Sequence, residues 1–185
     1  MNSSQKETLA AEPQSAANQK IQSSTGRRAE LLANRIAEGA AGLAAFAEGL
    51  SDADWRKPMS AKDRRTVGVI VHHVASMYPI EVGLARAVAG GKAAPEVTWE
   101  LVADINAKHG NKQAGVTKAA ALELVRRNSE DAAAAVRTFT DEELDGSAPV
   151  GLSSGAPVTA QFIIEDHALR HSWHHLAGIR RALGR

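Results

Sequence analysis

The sequence predicts an all-α fold, a four-helix bundle with one additional short helix. Its 185 residues are 44% hydrophobic but only 4% aromatic, and alanine is abundant throughout. This composition favours closely packed helices over a β-sandwich. Apolar residues recur every three to four positions over four long segments, as expected for one face of a helix. A chain of this length is sufficient for one domain with a substantial core.

The ends of the four long helices are predicted from this periodicity and from the residues that begin and end helices. The predicted spans are about Arg27 to Leu50, Arg64 to Val88, Thr117 to Thr138, and Pro157 to Leu183. We expect Pro79 to kink or interrupt the second helix, because proline has no amide hydrogen. Pro157 is expected to be the first residue of the fourth helix. The additional helix covers about Thr98 to His109, and Thr140 to Glu143 form a capping-box pattern that begins a short helical turn.

The chain is predicted to divide into a flexible tail and one domain. Residues from Met1 to about Gly26 contain almost no large apolar side chains and cannot bury enough surface to become ordered alone. Residues 27–185 form the four-helix-bundle domain. A loop rich in Gly, Ser and Pro precedes the last helix, and it is the one place where a short piece of β-structure is expected.

The composition argues against several classes of function. A formal net charge of +1 gives no general attraction for nucleic acid or anionic lipid. The absence of cysteine excludes disulfides, thiolate metal ligands and a cysteine nucleophile. No stretch approaches the ~18 consecutive apolar residues of a membrane span, and the N-terminus lacks the apolar segment of a secretory signal. We therefore expect a soluble cytoplasmic protein that binds neither nucleic acid nor membranes.

Three of the seven histidines are predicted to face the interior of the bundle. His171 and His175 share the inner face of the last helix, because residues four positions apart are neighbours on a helix. His73 lies at the edge of the apolar face of the second long helix. His72 is interpreted as facing water. His167 and His174 are interpreted as facing water or groups that surround the site. His109, which ends a helix, is interpreted as favoured by the helix dipole.

Three inward imidazoles on two facing helices would form a metal site. Two histidines four residues apart can bind one ion without straining the backbone. Three protein ligands leave coordination positions open, which is the catalytic rather than the structural pattern. Ser172 follows His171 where a metallopeptidase would carry glutamate, so that activity is not supported. Glu81 either lines the same cavity as a proton acceptor or is turned outward by Pro79, and the sequence identifies no catalytic residue.

Two segments resemble the DinB/YfiT-like family, whose members are regarded as metalloenzymes. They are TVGVIVHHVASM (Thr66 to Met77) and HSWHHLAGIRR (His171 to Arg181). The connectors LSDADW and FTDEEL are also typical of the family, and the resemblance covers roughly Arg27 to Leu183. It implies a four-helix bundle, commonly dimeric, that binds one divalent metal ion through His73, His171 and His175. Ser76 stands where the relatives most similar to bacillithiol transferases carry aspartate.

Some relatives are thiol S-transferases, so we expect a metal-dependent enzyme, a transferase or hydrolase, that adds a low-molecular-weight thiol to a small electrophile. The expected ion is Zn or Ni, with Fe or Mn as alternatives. The alternative function is a non-catalytic helical dimer or stress-associated binding module with structural histidines. Nucleic-acid binding through IRRALGR is opposed by the near-neutral charge. Apolar residues beside the core face of the last helix predict either a broad core or a homodimer interface: Phe162, Leu169 and Trp173.

Overall fold

The computed structural model describes residues 26–185, and it confirms the predicted four-helix bundle. The long helices are α1 (Arg27–Glu48), α3 (Val67–Ala89), α5 (Lys118–Arg137) and a C-terminal helix. The C-terminal helix runs through α7 (Ala160–Ile163), a π-helical segment (Ile164–Leu169) and α8 (Arg170–Leu183). Shorter helices lie in the connections: α2 (Asp52–Arg56), α4 (Trp99–Lys112) and α6 (Asp141–Asp145). Residues 1–25 of the predicted tail lie outside the described residues.

The four long helices surround one apolar core. Helices α1 and α3 each pack against α5 and against the C-terminal helix. Alanine allows these helices to approach closely, and it recurs along the buried face of α1. At Gly39 the approach is closer still, because a Cβ atom there would lie 2.8 Å from Nε1 of Trp173. The alanine-rich composition therefore has a structural cause in the short distance between α1 and the C-terminal helix.

Threonine side chains fix where most of the helices begin. Thr66, Thr98 and Thr117 each accept a hydrogen bond from a backbone amide in the first turn of α3, α4 and α5. Thr140 forms the predicted capping box with Glu143 at the start of α6. Each cap satisfies an amide that the helix itself leaves without a partner. The cap at Thr66 explains why α3 begins at Val67 rather than at the predicted Arg64.

The predicted start of the last helix at Pro157 is wrong. Pro157–Thr159 form strand β2, which pairs antiparallel with β1 (Ser147–Pro149). The side chain of Thr159 then accepts from the amide of Phe162, so the helix begins at Ala160. Strand pairing and the threonine cap together outweigh the preference of proline for a first helical position. The short β-structure expected in this loop is confirmed.

Helix α3 continues through Pro79, so the predicted interruption does not occur. Proline cannot donate to the carbonyl of Ala75, four residues earlier. The side chain of Asn128 on α5 replaces this donor, with its Nδ2 atom 2.8 Å from the Ala75 oxygen. The Pro79 side chain itself is exposed. An amide from a neighbouring helix thus compensates for the proline, and the residues on both sides of it remain in one helix.

Segment 51–56, predicted to lie in the connection between the first two long helices, forms the short helix α2. Ser51 and Asp54 make a capping box, and Trp55 is buried. The indole Nε1 of Trp55 donates to the carbonyl of Val116 at 3.0 Å, which connects α2 to the start of α5. Its ring lies so close to Gly68 that a Cβ atom there would overlap with it. Trp55 therefore fixes the first turn of α3 in the bundle.

One described helix, α3, is long and apolar enough to cross a membrane by length and composition, with a hydropathy of 1.3 over its most apolar window. However, 61% of that window is buried inside the protein, as expected for the core helix of a bundle.

On the C-terminal helix, Leu169 is buried whereas Phe162 and Trp173 are exposed.

Candidate metal centre

The structure brings the three predicted histidines together between α3 and α8. His73 lies on the buried face of α3, in the first half of that helix. His171 and His175 lie one turn apart in the first half of α8. One nitrogen from each of the three rings can be chosen so that all lie within 4.8 Å of one another. That these residues bind a metal remains a prediction, but the sequence located the cluster correctly.

The distances within the cluster fit a shared ion. The Nε2 atoms of His171 and His73 are 3.1 Å apart. Two nitrogens bound to one tetrahedral Zn at about 2.0–2.1 Å lie about 3.4 Å from each other. The ring centroid of His175 lies 4.7 Å from that of His171 and 5.3 Å from that of His73. Small adjustments of the side chains are therefore sufficient for the three rings to share an ion.

Glu81 orients one of these imidazoles. Its Oε1 atom lies 2.6 Å from Nδ1 of His171, and the carboxylate is buried. The Nδ1 hydrogen donated to this carboxylate leaves the lone pair on Nε2, which faces His73. Glu81 therefore lies inside the site, and Pro79 does not turn it outward. Among the described residues, its second oxygen Oε2 is buried without a hydrogen-bond partner.

Burial keeps two of the three imidazoles neutral. Burial first, and then the charge of a protonated His171, lower the pKa of His73 to about 3. Burial likewise lowers the pKa of His175 to about 2, with His171 and His73 as the next causes. A neutral imidazole has the lone pair that a metal ligand needs. His73 and His175 are therefore available as ligands over the whole physiological pH range.

The structure places His72 differently from the prediction and brings it next to His109. His72 is half-buried rather than solvent-facing, because α4 covers that side of α3. Its Nδ1 atom lies 2.9 Å from Nε2 of His109, and the hydroxyl of Ser76 lies 3.2 Å from the same atom. His109 is in the last turn of α4 as predicted. Burial lowers its pKa, which weakens the expected interaction of an imidazolium with the helix dipole.

His167 and His174 lie at the edge of the site. His174 is exposed as predicted, and its ring centroid is 5.2 Å from that of His175. The His167 side chain is 20% exposed and lies in the π-helical segment, where it lines the cavity described below. A π-helical turn contains more residues than an α-helical turn. His167 therefore lies beside the cluster, which is one of the two positions predicted for it, and not in open solvent.

A cavity of about 360 Å³ opens onto the histidine cluster. The three histidines and Glu81 line one part of it, and apolar side chains from α3 and α4 line another. Two ion-paired arginines also contribute to its walls: Arg65, held by Asp63, and Arg170, held by Asp166. The volume lies in the range of small-molecule sites. The cluster is thus accessible to a ligand, as a catalytic metal requires and a closed structural site does not.

A family model described as the DinB superfamily matches residues 35–179. The chain belongs to the DinB superfamily. Its structure is also similar to that of YfiT from Bacillus subtilis, with a TM-score of 0.69 and 17% sequence identity, over 98% of this chain and 94% of the other. YfiT is described as a probable metal-dependent hydrolase with an unusual four-helix bundle topology. A comparison with curated proteins finds no match.

At 17% identity, the likeness to YfiT establishes the fold of this chain. The histidine cluster of this DinB-superfamily chain fits metal binding. The cavity wall formed by α4 was not predicted from the sequence. A signal was present, because Trp99, Val102 and Asn106, which line the cavity, follow the spacing of one helix face.

Proposed function

We propose that this chain is a divalent-metal-dependent enzyme that transfers a low-molecular-weight thiol to a small electrophile. The ion is held by His73, His171 and His175. The observation that carries the proposal is the cluster of three imidazoles at a cavity, with one imidazole oriented by a buried carboxylate. Zn and Ni are the expected ions, because neutral imidazole is a borderline-soft ligand.

Bound to three imidazoles, a divalent ion supplies Lewis acidity and lowers the pKa of a thiol or water that occupies an open coordination position. The chain supplies the remaining elements. Glu81 holds His171 in one tautomer and one orientation. Burial keeps His73 and His175 neutral. The cavity has room for a ligand next to the cluster.

Hydrolysis is the second candidate, and a specific observation favours it. Oε2 of Glu81 is buried and, within residues 26–185, has no hydrogen-bond partner. A carboxylate oxygen in this position can accept a hydrogen bond from a water molecule at the cluster. YfiT, which has the same fold, is described as a probable metal-dependent hydrolase. The two candidates use the same ion and differ in the nucleophile.

A paired assay distinguishes the two reactions. Purified protein is loaded with Zn or Ni, and thiol consumption is measured with 1-chloro-2,4-dinitrobenzene as electrophile and several low-molecular-weight thiols. Ester hydrolysis is measured without thiol on 4-nitrophenyl acetate. We expect metal-dependent thiol consumption that a chelator and His171→Ala both abolish. If only hydrolysis is observed, the hydrolase proposal replaces the transferase proposal. If neither reaction depends on the metal, both proposals are refuted.

The alternative non-catalytic module makes a different prediction. If the histidines were structural, replacing all three with glutamine would leave stability unchanged in the presence of Zn or Ni. In the proposed enzyme, added ion raises the unfolding temperature of the wild type and not of the triple variant, because a ligand that binds the folded state stabilises it. The homodimer and the cytoplasmic location remain predictions.

A further inference from the structure

Apolar side chains form an extended wall beside the histidine cluster. The outer face of α3 contributes Ile80, and α4 contributes Trp99, Leu101 and Ile105. These four side chains are among the most exposed large hydrophobic residues of the described chain, from 38% for Ile105 to 61% for Trp99. Contiguous exposed apolar surface usually marks a binding site. Here it is continuous with the cavity that reaches the imidazoles.

The wall is not explained by the core. In the part of the chain that the structure describes, no residue of α4 is buried. Its apolar side chains therefore contribute little to the stability of the bundle, because the hydrophobic contribution scales with the area removed from water. Asn106 on the same helix lines the cavity as well, and its side-chain oxygen is buried without a partner among residues 26–185. These observations indicate that α4 contacts a ligand.

The charges around the cavity restrict what that ligand is. Among the described residues, the Asp, Glu, Lys and Arg side chains that line it are Arg65, Glu81, Asp166 and Arg170. Asp63 and Asp166 neutralise the two arginines, and Glu81 binds His171. Neither lining arginine is left without an acidic partner in residues 26–185, so a polyanionic substrate finds no free cation. The wall instead favours an uncharged apolar group.

The size of the cavity sets a second limit. About 360 Å³ lies at the lower end of the usual range of roughly 300–1,000 Å³ for small-molecule sites. A folded partner or a nucleic-acid strand does not fit into such a volume. A linear or single-ring organic molecule does, with one end at the imidazoles and the other on α4.

We propose that the electrophilic substrate is a small, uncharged organic molecule whose apolar part lies on Ile80, Trp99, Leu101 and Ile105 and whose polar end faces His73, His171 and His175. This substrate class rests on the metal-dependent function proposed above. It adds a specificity-determining surface, formed by one face of α4 and the exposed face of α3 around Ile80.

Binding of a homologous series tests the wall separately from the ion. Zn-loaded protein is titrated by calorimetry with acetohydroxamate, butanohydroxamate and hexanohydroxamate, whose common head group binds metal ions. Each buried methylene is worth about 0.8 kcal/mol, or up to roughly fourfold in affinity. We expect hexanohydroxamate to bind at least about tenfold more tightly than acetohydroxamate, since four methylenes are partly buried.

Variants locate the effect on the wall. Trp99→Ala should reduce the ratio of hexanohydroxamate affinity to acetohydroxamate affinity at least about threefold, because less apolar area is buried by the longer chain. Ile105→Ala should do the same. Both variants should leave acetohydroxamate binding unchanged. Phe162→Ala is the matched control, since Phe162 is an aromatic residue of similar exposure, 44%, outside the cavity. It should leave the ratio unchanged.

The outcomes separate the two proposals. If acetohydroxamate binds but added methylenes give no gain, the apolar substrate class is wrong and the metal site stands. If the gain persists in both wall variants, the apolar chain lies elsewhere and the proposal also fails. If acetohydroxamate does not bind to Zn-treated protein at all, the proposed metal-dependent function fails first.

Discussion

Replacing Glu81 with glutamine should weaken metal binding without unfolding the metal-free protein. The carboxylate contacts His171 at 2.6 Å from a buried position and orients its ring. Loss of such a carboxylate typically weakens metal affinity about 10- to 100-fold, which corresponds to about 1.4–2.7 kcal/mol. We expect a decrease in Zn affinity in this range for Glu81→Gln, measured by competition with a chelator of known affinity.

The effect on folding is expected to be small for a structural reason. A glutamine amide oxygen can still accept from His171, and the change removes a carboxylate whose Oε2 atom has no partner among the described residues. Removal of the buried unpaired charge stabilises the fold, whereas the weaker hydrogen bond from His171 destabilises it. These two effects oppose each other, so the free energy of unfolding without metal should change by less than about 1 kcal/mol. Urea unfolding in the presence of chelator measures this quantity.

Glu123→Gln is the matched control, because Glu123 is an exposed glutamate on α5. It should change neither the Zn affinity nor the stability. Zn affinity of Glu81→Gln within threefold of the wild type would refute the role of the Glu81 carboxylate in metal binding. A loss of stability without metal as large as the loss of affinity would show that Glu81 acts on the fold instead.

Three further predictions concern the framework of the site. Asn128→Asp removes the donor to the Ala75 carbonyl and should lower the free energy of unfolding by about 1–3 kcal/mol, because that buried oxygen loses its partner. Gly68→Ala places a methyl group against the ring of Trp55 and should cost about 1–3 kcal/mol through overpacking. Metal-free protein should lose stability as pH falls, because burial lowers the pKa of His73 to about 3 while the unfolded chain takes up the proton near pH 6.5.

Urea unfolding measures all three, and the sign of the pH effect follows from linkage. A lowered pKa in the folded state means that the unfolded state binds more protons, so stability is complete above about pH 6.5 and is lost toward pH 3. For His73 alone, the loss between pH 7.5 and pH 5.5 is about 1.4 kcal/mol, and His73→Gln should reduce the slope. If stability depends on pH equally in His73→Gln and in the wild type, the burial of His73 is contradicted. If Asn128→Asp or Gly68→Ala causes no loss of stability, the packing around α3 is contradicted.

The positions of His171 and His175 relative to each other could be predicted because they depend only on local helix geometry. The contact with His73 required a further inference, namely that the apolar faces of two distant helices meet in the core. The prediction succeeded because both faces are strongly apolar around these residues. The same approach failed for His72, since α4 covers it and local periodicity carries no information about which helix crosses another.

Glu81 and His167 illustrate two other limits of sequence analysis. The orientation of Glu81 depends on whether Pro79 breaks α3, and this is decided by Asn128, which is 49 positions further along the chain. The orientation of His167 depends on a π-helical segment, which no residue type marks in the sequence. Propensity and spacing describe neighbours along the chain, whereas both of these outcomes depend on contacts between distant segments.

The metal content of purified protein tests the central claim most directly. The protein is dialysed against Zn and then against metal-free buffer, and zinc is measured by elemental analysis together with protein concentration. We predict one ion per chain in the wild type and in His174→Ala, an exposed histidine of the same helix. We predict loss of that ion when His73, His171 and His175 are all replaced with alanine. A wild type that retains no ion, or a triple variant that retains one, would contradict the account.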